Sequence, residues 1–239
     1  MAIEFHQVVA GYSPTLTILN ELSFEAKDGE ITLLIGPNGA GKSTALKTLF
    51  GLLAPRSGTI RLDGRDVAGS TPRAMLDRGV AFVPQGRNLF GSLSVLHNLE
   101  LGGITLKKNP KERIAEVLDR FPRIRERLAN QASTLSGGEQ KQLEIGRALL
   151  LRPRVILIDE PSIGLSPLIS QDVFKLLRAL ADGGTTVLMV EQNVRSALAY
   201  ADRALVLEMG RLALDRPAGE LLGDPNLNRL FLGGHVAAN

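Results

Sequence analysis

The sequence predicts an α/β fold: an open sheet with an antiparallel β subdomain at the N-terminus and an inserted α-helical subdomain. Three observations predict it. Short apolar runs at 31–35, 155–158 and 186–190 alternate with segments whose apolar residues recur at helical spacing. The first 26 residues alternate apolar and polar positions as half-exposed strands do. From about 88 to 150 the strand pattern gives way to helical periodicity. A chain of 239 residues can bury a sizeable core. It is read as one domain, 1–239, with about 88–150 as the helical subdomain.

Taken in order, 3–12 and 16–26 read as strands, and the Asp28-Gly29-Glu30 turn signal precedes a third at 31–35. A glycine-rich loop follows. Leu46, Leu49, Phe50 and Leu53 then recur at i, i+3, i+4 and i+7 and predict the buried stripe of a helix. Residues 57–67 form a further strand and turn, and 79–85 bring a short apolar strand up to Gln85. Charges surround a modest apolar stripe in 111–131. The α/β alternation resumes with a strand at 155–158, a helix at 169–181, a strand at 186–190, a helix at 194–201 and a strand at 204–207. The tail GGHVAAN is expected to be loose.

Composition excludes several classes. Hydrophobic residues are 44% and charged residues 22%, ordinary globular usage. A net charge of +3, with the basic residues spread out, argues against a nucleic-acid partner. The absence of cysteine removes disulfides, thiolate metal sites and thiol nucleophiles, and His6, His97 and His235 are too scattered for a metal cluster. The N-terminus lacks the charged lead and apolar run of a signal peptide, and no apolar run is long enough to span a bilayer. Any membrane role therefore needs a partner.

The loop GPNGAGKST places Gly36, Pro37, Asn38, Gly39, Ala40, Gly41, Lys42, Ser43 and Thr44 between an apolar strand and a helix, matching G-x-x-x-x-G-K-[ST]. Glycine lets successive N–H groups turn toward phosphate oxygens; Lys42 adds a mobile positive charge, and the Ser43 hydroxyl can ligate Mg²⁺. A chance match in such a chain is on the order of one in a hundred. In RVILIDEPS, Asp159 and Glu160 stand just beyond four apolar residues, at the carboxyl end of a buried strand where open α/β sheets bind ligands. There Asp159 would hold Mg²⁺ and Glu160 would orient or deprotonate an attacking water; the plain alternative is an acidic pair capping the next turn. A second anion-seeking feature lies at LSGGEQ, where Ser136, Gly137 and Gly138 precede a helix-like run that continues through Glu139 and Gln140.

LSGGEQ together with the P-loop and ILIDEP resembles the ABC ATPases, P-loop NTPases whose signature is of the LSGGQ type. The resemblance spans essentially the whole chain. It implies ATP as ligand and Mg²⁺ as metal, the latter served by Ser43, Gln85 and Asp159. It also implies a Q-loop role for Gln85 and a stacking role on adenine for Tyr12. Read without the resemblance, Tyr12 is equally a half-buried strand aromatic, and Gln85 an ordinary loop residue. In the family two such domains meet head to tail, so residues 136–140 would complete the site of a second ABC ATPase subunit, a copy or a paralogue. The catalytic set implied is Lys42, Glu160 and Gln192.

Two positions depart from the family pattern. Gln192 stands where most members have histidine; its amide can hydrogen-bond a γ-phosphate but cannot become cationic. Ser166 stands where an aspartate usually ends the loop after the glutamate. These departures, with VPQGRNLFGSLSV and the late FLGG, resemble the ATPase subunits of bacterial branched-chain amino-acid importers. Urea importers use similar subunits. The resemblance implies a cytoplasmic subunit, peripheral on the inner membrane, that pairs beneath two membrane permease subunits fed by a solute-binding protein. The charged arm at 107–127 reads as a solvated helical face in preference to a lipid contact. Two rivals remain: a non-transport ABC ATPase acting on DNA or ribosomes, and a P-loop kinase, which would need no Ser136 signature.

Overall fold

The computed structural model describes residues 1–86, 88–106 and 110–224. Arg87, the start of the charged arm at Lys107, and the tail with its FLGG and GGHVAAN segments lie outside the described residues.

Strands β1 (Ile3–Ala10) and β2 (Leu19–Ala26) open the chain, and β3 (Ile31–Ile35) runs into the glycine-rich loop and helix α1 (Lys42–Leu49). Next come β4 (Ser57–Leu62), β5 (Arg65–Asp66), α2 (Pro72–Asp77) and β6 (Val80–Val83). Among the described residues, α3 (Val95–Gly102), α4 (Lys111–Asp119), α5 (Pro122–Arg125), a short 3-10 turn (Ala132–Thr134) and α6 (Gly137–Leu149) follow. The chain then returns to alternation through β7 (Val155–Asp159), α7 (Pro167–Asp182), β8 (Thr186–Val190), α8 (Val194–Leu198), β9 (Arg203–Glu208), β10 (Arg211–Pro217) and α9 (Ala218–Leu222).

These strands form two sheets. The antiparallel one has the order β2-β1-β4-β5, and the six-stranded one has the order β10-β9-β3-β8-β7-β6. In the second sheet only the β9–β10 pair is antiparallel; the others are parallel. Leu34 and Asp159 both lie opposite Val190, so β3, β7 and β8 end together. The loops after all three strands therefore open on one edge.

Period-two alternation along buried strands divides the interior in two. On one face Ile31, Leu33, Ile156 and Ile158 pack with Leu99, Val117, Leu143 and Phe174 of the helices. On the other, Leu34, Val155, Leu157 and Leu188 pack with Leu46 and Leu49 of α1 and with Ile3, Phe5, Leu22 and Ile60 of the antiparallel sheet. Each such side chain contributes on the order of 1.5–3 kcal/mol through burial. Apolar residues of α3–α6 share their cluster with the parallel sheet, so the helical segment is packed onto that sheet.

Several boundaries differ from expectation. α1 stops at Leu49, where the Leu52 N–H closes onto the Lys47 carbonyl at 2.9 Å. Leu53 still packs partly buried against the core, so its periodicity reflected burial rather than helix. The first strand ends at Ala10 and the second begins at Leu19. Between them a loop is held by Arg56, which donates to the Thr17 hydroxyl at 2.9 Å and the Leu16 carbonyl at 3.0 Å. The sequence reading missed α2, β10 and α9. β10 has little buried surface, which leaves a weak periodic signal.

Candidate active site

The glycine-rich loop starts where β3 meets a wall of backbone. Gly36 has φ 143°, and a Cβ there would sit 2.1 Å from the Leu207 carbonyl oxygen of β9. Only glycine fits so close an approach. Behind the loop, the Gly210 N–H donates to the Ala40 carbonyl at 3.0 Å, and the Ala40 N–H donates to the Pro37 carbonyl at 3.2 Å. Gly41 caps α1 without a side-chain hydrogen bond, and no acidic residue occupies the first turn. The N-terminal amides of α1 and the positive end of its dipole thus face an anion-binding position.

Lys42 is 6% exposed and donates from Nζ to the carbonyls of Gly36 at 2.8 Å and Pro37 at 2.9 Å. Burial holds its ammonium below the ordinary lysine range, partly offset by the nearby charges of Glu160 and Asp159. The ammonium is folded back on its own loop. Tyr12, Asn38, Gly39, Thr44, Gln85 and Gln192 line the surrounding cleft, which has a volume of about 420 Å³. Tyr12 is half exposed at its mouth. Its hydroxyl meets the Thr44 hydroxyl at 3.4 Å, and Lys47 Nζ lies 5.7 Å from its ring centroid.

Opposite the loop, the end of β7 supplies the acids. The Ser43 hydroxyl donates to Asp159 Oδ1 at 3.0 Å, across 116 positions of sequence. Burial pushes the Asp159 carboxyl above its usual range; the Ser43 hydrogen bond opposes this and the Glu160 charge adds to it. Glu160 is held on both oxygens: Gln85 Nε2 donates to Oε2 and Gln192 Nε2 to Oε1, each at 2.6 Å. Its backbone sits in the left-handed region at φ 49°, anchored by its N–H on the Val190 carbonyl at 2.9 Å. Such a conformation costs on the order of 1–3 kcal/mol and persists where the surroundings enforce it. The Ser43 hydroxyl and the Asp159 carboxylate, joined at 3.0 Å, are hard oxygen donors of the kind Mg²⁺ takes.

The signature residues do not line this cleft. Ser136 caps α6 in a capping box: its N–H donates to Glu139 Oε2 at 2.9 Å and its Oγ accepts the Glu139 N–H at 3.4 Å, while its hydroxyl also donates to Glu139 Oε2 at 2.7 Å. Burial raises the Glu139 carboxyl, but the Ser136 hydrogen bonds and Arg127 outweigh it and hold the group below the usual carboxylate range. Gln140 turns back to donate to the Ala132 and Leu135 carbonyls at 3.2 and 3.1 Å. Gly137 and Gly138 form the first turn, and a Cβ on Gly138 would approach Ile169 Cγ2 to 2.5 Å. The side chains of Ser136, Glu139 and Gln140 are therefore all engaged within the chain, and Gly137 and Gly138 carry no side chain at the tip of α6.

Two features went unread in the sequence. Glu191, 2% exposed, accepts three backbone N–H groups from the loops on either side of Glu160. A charged residue directly after the apolar run TVLMV was the available signal. The second is a buried pair in α6, Lys141 Nζ to Glu144 Oε2 at 2.6 Å. Glu144 Oε1 also accepts the Asn88 N–H at 2.8 Å, and Arg147 donates to the Asn88 carbonyl at 2.6 Å. Three residues after Gln85, the chain is thus gripped by the helix that carries the signature.

A glycine-rich G-x-x-x-x-G-K-S loop after β3 of a parallel sheet, faced by an acidic pair at the end of β7 with β8 between the two strands, defines a nucleoside-triphosphate-binding protein of the P-loop class. The model of the ABC transporter family matches residues 19–163, and the chain belongs to that family. It is an ATPase coupled to transport, and ATP is its nucleotide. It is 44% identical over 227 residues to the high-affinity branched-chain amino acid transport ATP-binding protein BraG of Pseudomonas aeruginosa, covering 95% of this chain and 97% of that one. With the probable branched-chain amino acid transport ATP-binding protein LivF of Archaeoglobus fulgidus it shares 39% over 226 residues, covering 94% and 95%. Among solved structures, the ADP conformation of MJ1267, an ATP-binding cassette of an ABC transporter, superposes with a TM-score of 0.87 at 27% identity, covering 98% and 99%. No helix among the described residues is long and apolar enough to cross a membrane.

Proposed function

We propose that this chain hydrolyses ATP to drive uptake of branched-chain amino acids, as a subunit peripheral to the cytoplasmic face of the inner membrane. It pairs head to tail with a copy or paralogue beneath two permease subunits, to which a solute-binding protein delivers the amino acid. The similarity to BraG and LivF over nearly the full lengths supports the solute class. Residues 1–239 act as one ATPase domain, with about 88–150 as its helical subdomain.

The observation that carries the hydrolytic reading is the double grip on Glu160. The loop from Gly36 to Thr44 binds the phosphates, Lys42 moves its ammonium from the Gly36 and Pro37 carbonyls to phosphate oxygens, and Tyr12 stacks on adenine. Glu160 accepts a proton from the water that attacks the γ-phosphorus; ADP departs as the bond to its terminal oxygen breaks. Gln85 and Gln192 aim that carboxylate, and Gln192 can shift one hydrogen bond to the γ-phosphate. Ser43, Asp159 and Gln85 would hold Mg²⁺, which supplies charge neutralisation at the phosphate oxygens. Ser136, Gly137 and Gly138 present the tip of α6 to the nucleotide of the opposing subunit.

Glu160→Gln tests the base assignment: ATP binding is retained, while steady-state phosphate release falls at least about a hundredfold. Near-normal turnover in that variant refutes the role. For the solute, the chain reconstituted in vesicles with permease subunits and the solute-binding protein should take up labelled leucine in an ATP-dependent manner. Uptake of urea in place of leucine would sink the amino-acid assignment.

A further inference from the structure

Glu160 is flanked by two loops, and one buried carboxylate ties both. Glu191 follows β8 directly and is almost fully enclosed. Its Oε1 accepts the Ser162 N–H at 2.7 Å, two residues past Glu160 on the β7 side. Its Oε2 accepts the N–H groups of Gln192 at 3.0 Å and Asn193 at 3.2 Å on the β8 side. Among the described residues all its recorded hydrogen bonds come from backbone amides, so the group acts as a backbone bracket rather than half of an ion pair. A buried acceptor set of this kind fixes loop geometry because each released N–H would be left without a partner.

The geometry points to Glu191 as a positioning residue for hydrolysis: it locks the loop carrying Gln192 to the loop carrying Glu160, and so keeps the Gln192 amide on the Glu160 carboxylate. This rests on the reading of Glu160 as the base. Gln192 Nε2 reaches Glu160 Oε1 at 2.6 Å only while both loops keep this separation, and the Glu160 N–H on the Val190 carbonyl supplies the other fixed point. None of these contacts touches the phosphate loop or Tyr12. Loss of the bracket therefore acts on turnover and leaves nucleotide capture alone.

Glu191→Gln keeps the size and one acceptor oxygen but turns an NH₂ toward one of the two loops; Glu191→Ala removes both acceptors. Steady-state phosphate release from the full-length chain should show kcat lowered on the order of tenfold in the first and up to about a hundredfold in the second, the scale on which small misplacements act. KM for ATP and the affinity for a non-hydrolysable ATP analogue should stay within about threefold, a split that general loosening of the fold would not produce. Should the alanine variant fail to fold, the glutamine variant decides. A kcat within twofold of wild type in Glu191→Gln overturns the proposal, and so does an equal loss of analogue affinity. Glu160→Gln run alongside separates the two ideas: if it turns over normally, the base reading falls and the bracket with it, whereas if it is inactive while Glu191→Gln is normal, only the bracket falls.

Discussion

Gln192→Ala tests the arrangement at its least ordinary position. The substitution deletes the donor on Glu160 Oε1 at 2.6 Å and leaves Gln85 alone on Oε2 at the same distance. Glu160 is only 6% exposed, so water cannot replace the lost donor freely. A hydrogen bond to a charged group is worth roughly 1.5–3 kcal/mol. At about 1.36 kcal/mol per decade of rate, kcat should fall by roughly 10- to 150-fold. Phosphate release measured across ATP concentrations separates kcat from KM, and KM should change little because Gln192 contributes less to binding than the phosphate loop. A kcat within threefold of wild type would refute the idea that the amide aims the carboxylate. Gln192→His extends the test, since an imidazole titrating near pH 6.5 should add to the pH–rate profile a limb that wild type lacks.

Ser136→Arg should abolish turnover while the isolated chain keeps its ATP affinity, because residues 136–140 do not line their own chain's cleft; lost affinity in the isolated chain would contradict this. Asp159→Asn should raise the melting temperature of the nucleotide-free protein at neutral pH while eliminating hydrolysis. Burial raises the folded Asp159 carboxyl above its ordinary 3.8, so its contribution to stability is fully present below that value and is lost as pH rises through the folded one. The gain in the asparagine variant should accordingly shrink as the pH approaches 3.8, and a gain independent of pH would contradict the cause. Glu144→Ala strands Lys141 in a buried site and should cost about 3–5 kcal/mol, read as a lower midpoint in denaturant titration. The double change Lys141→Met with Glu144→Leu should recover much of it; no difference between single and double variants would show that the pair itself matters little.

The sequence by itself determined what neighbouring residues settle among themselves. The run from Gly36 to Thr44 specifies its turn and helix start, the spacing of Ser136 and Glu139 specifies the capping box, and four apolar residues deliver Asp159 and Glu160 to a strand end. In each case the partners lie within a few positions, so backbone geometry alone brings them together. Tertiary structure decided the rest. That Gln85 and Gln192 meet on one carboxylate depends on β7, which carries Glu160, lying between β6 and β8, and on strands paired in parallel register. Glu191 looked like one more charge after a strand until Ser162, 29 positions away, was brought to it. Apolar periodicity records that a strand is buried but not which strand lies beside it, and a site built from loop ends inherits its geometry from that order.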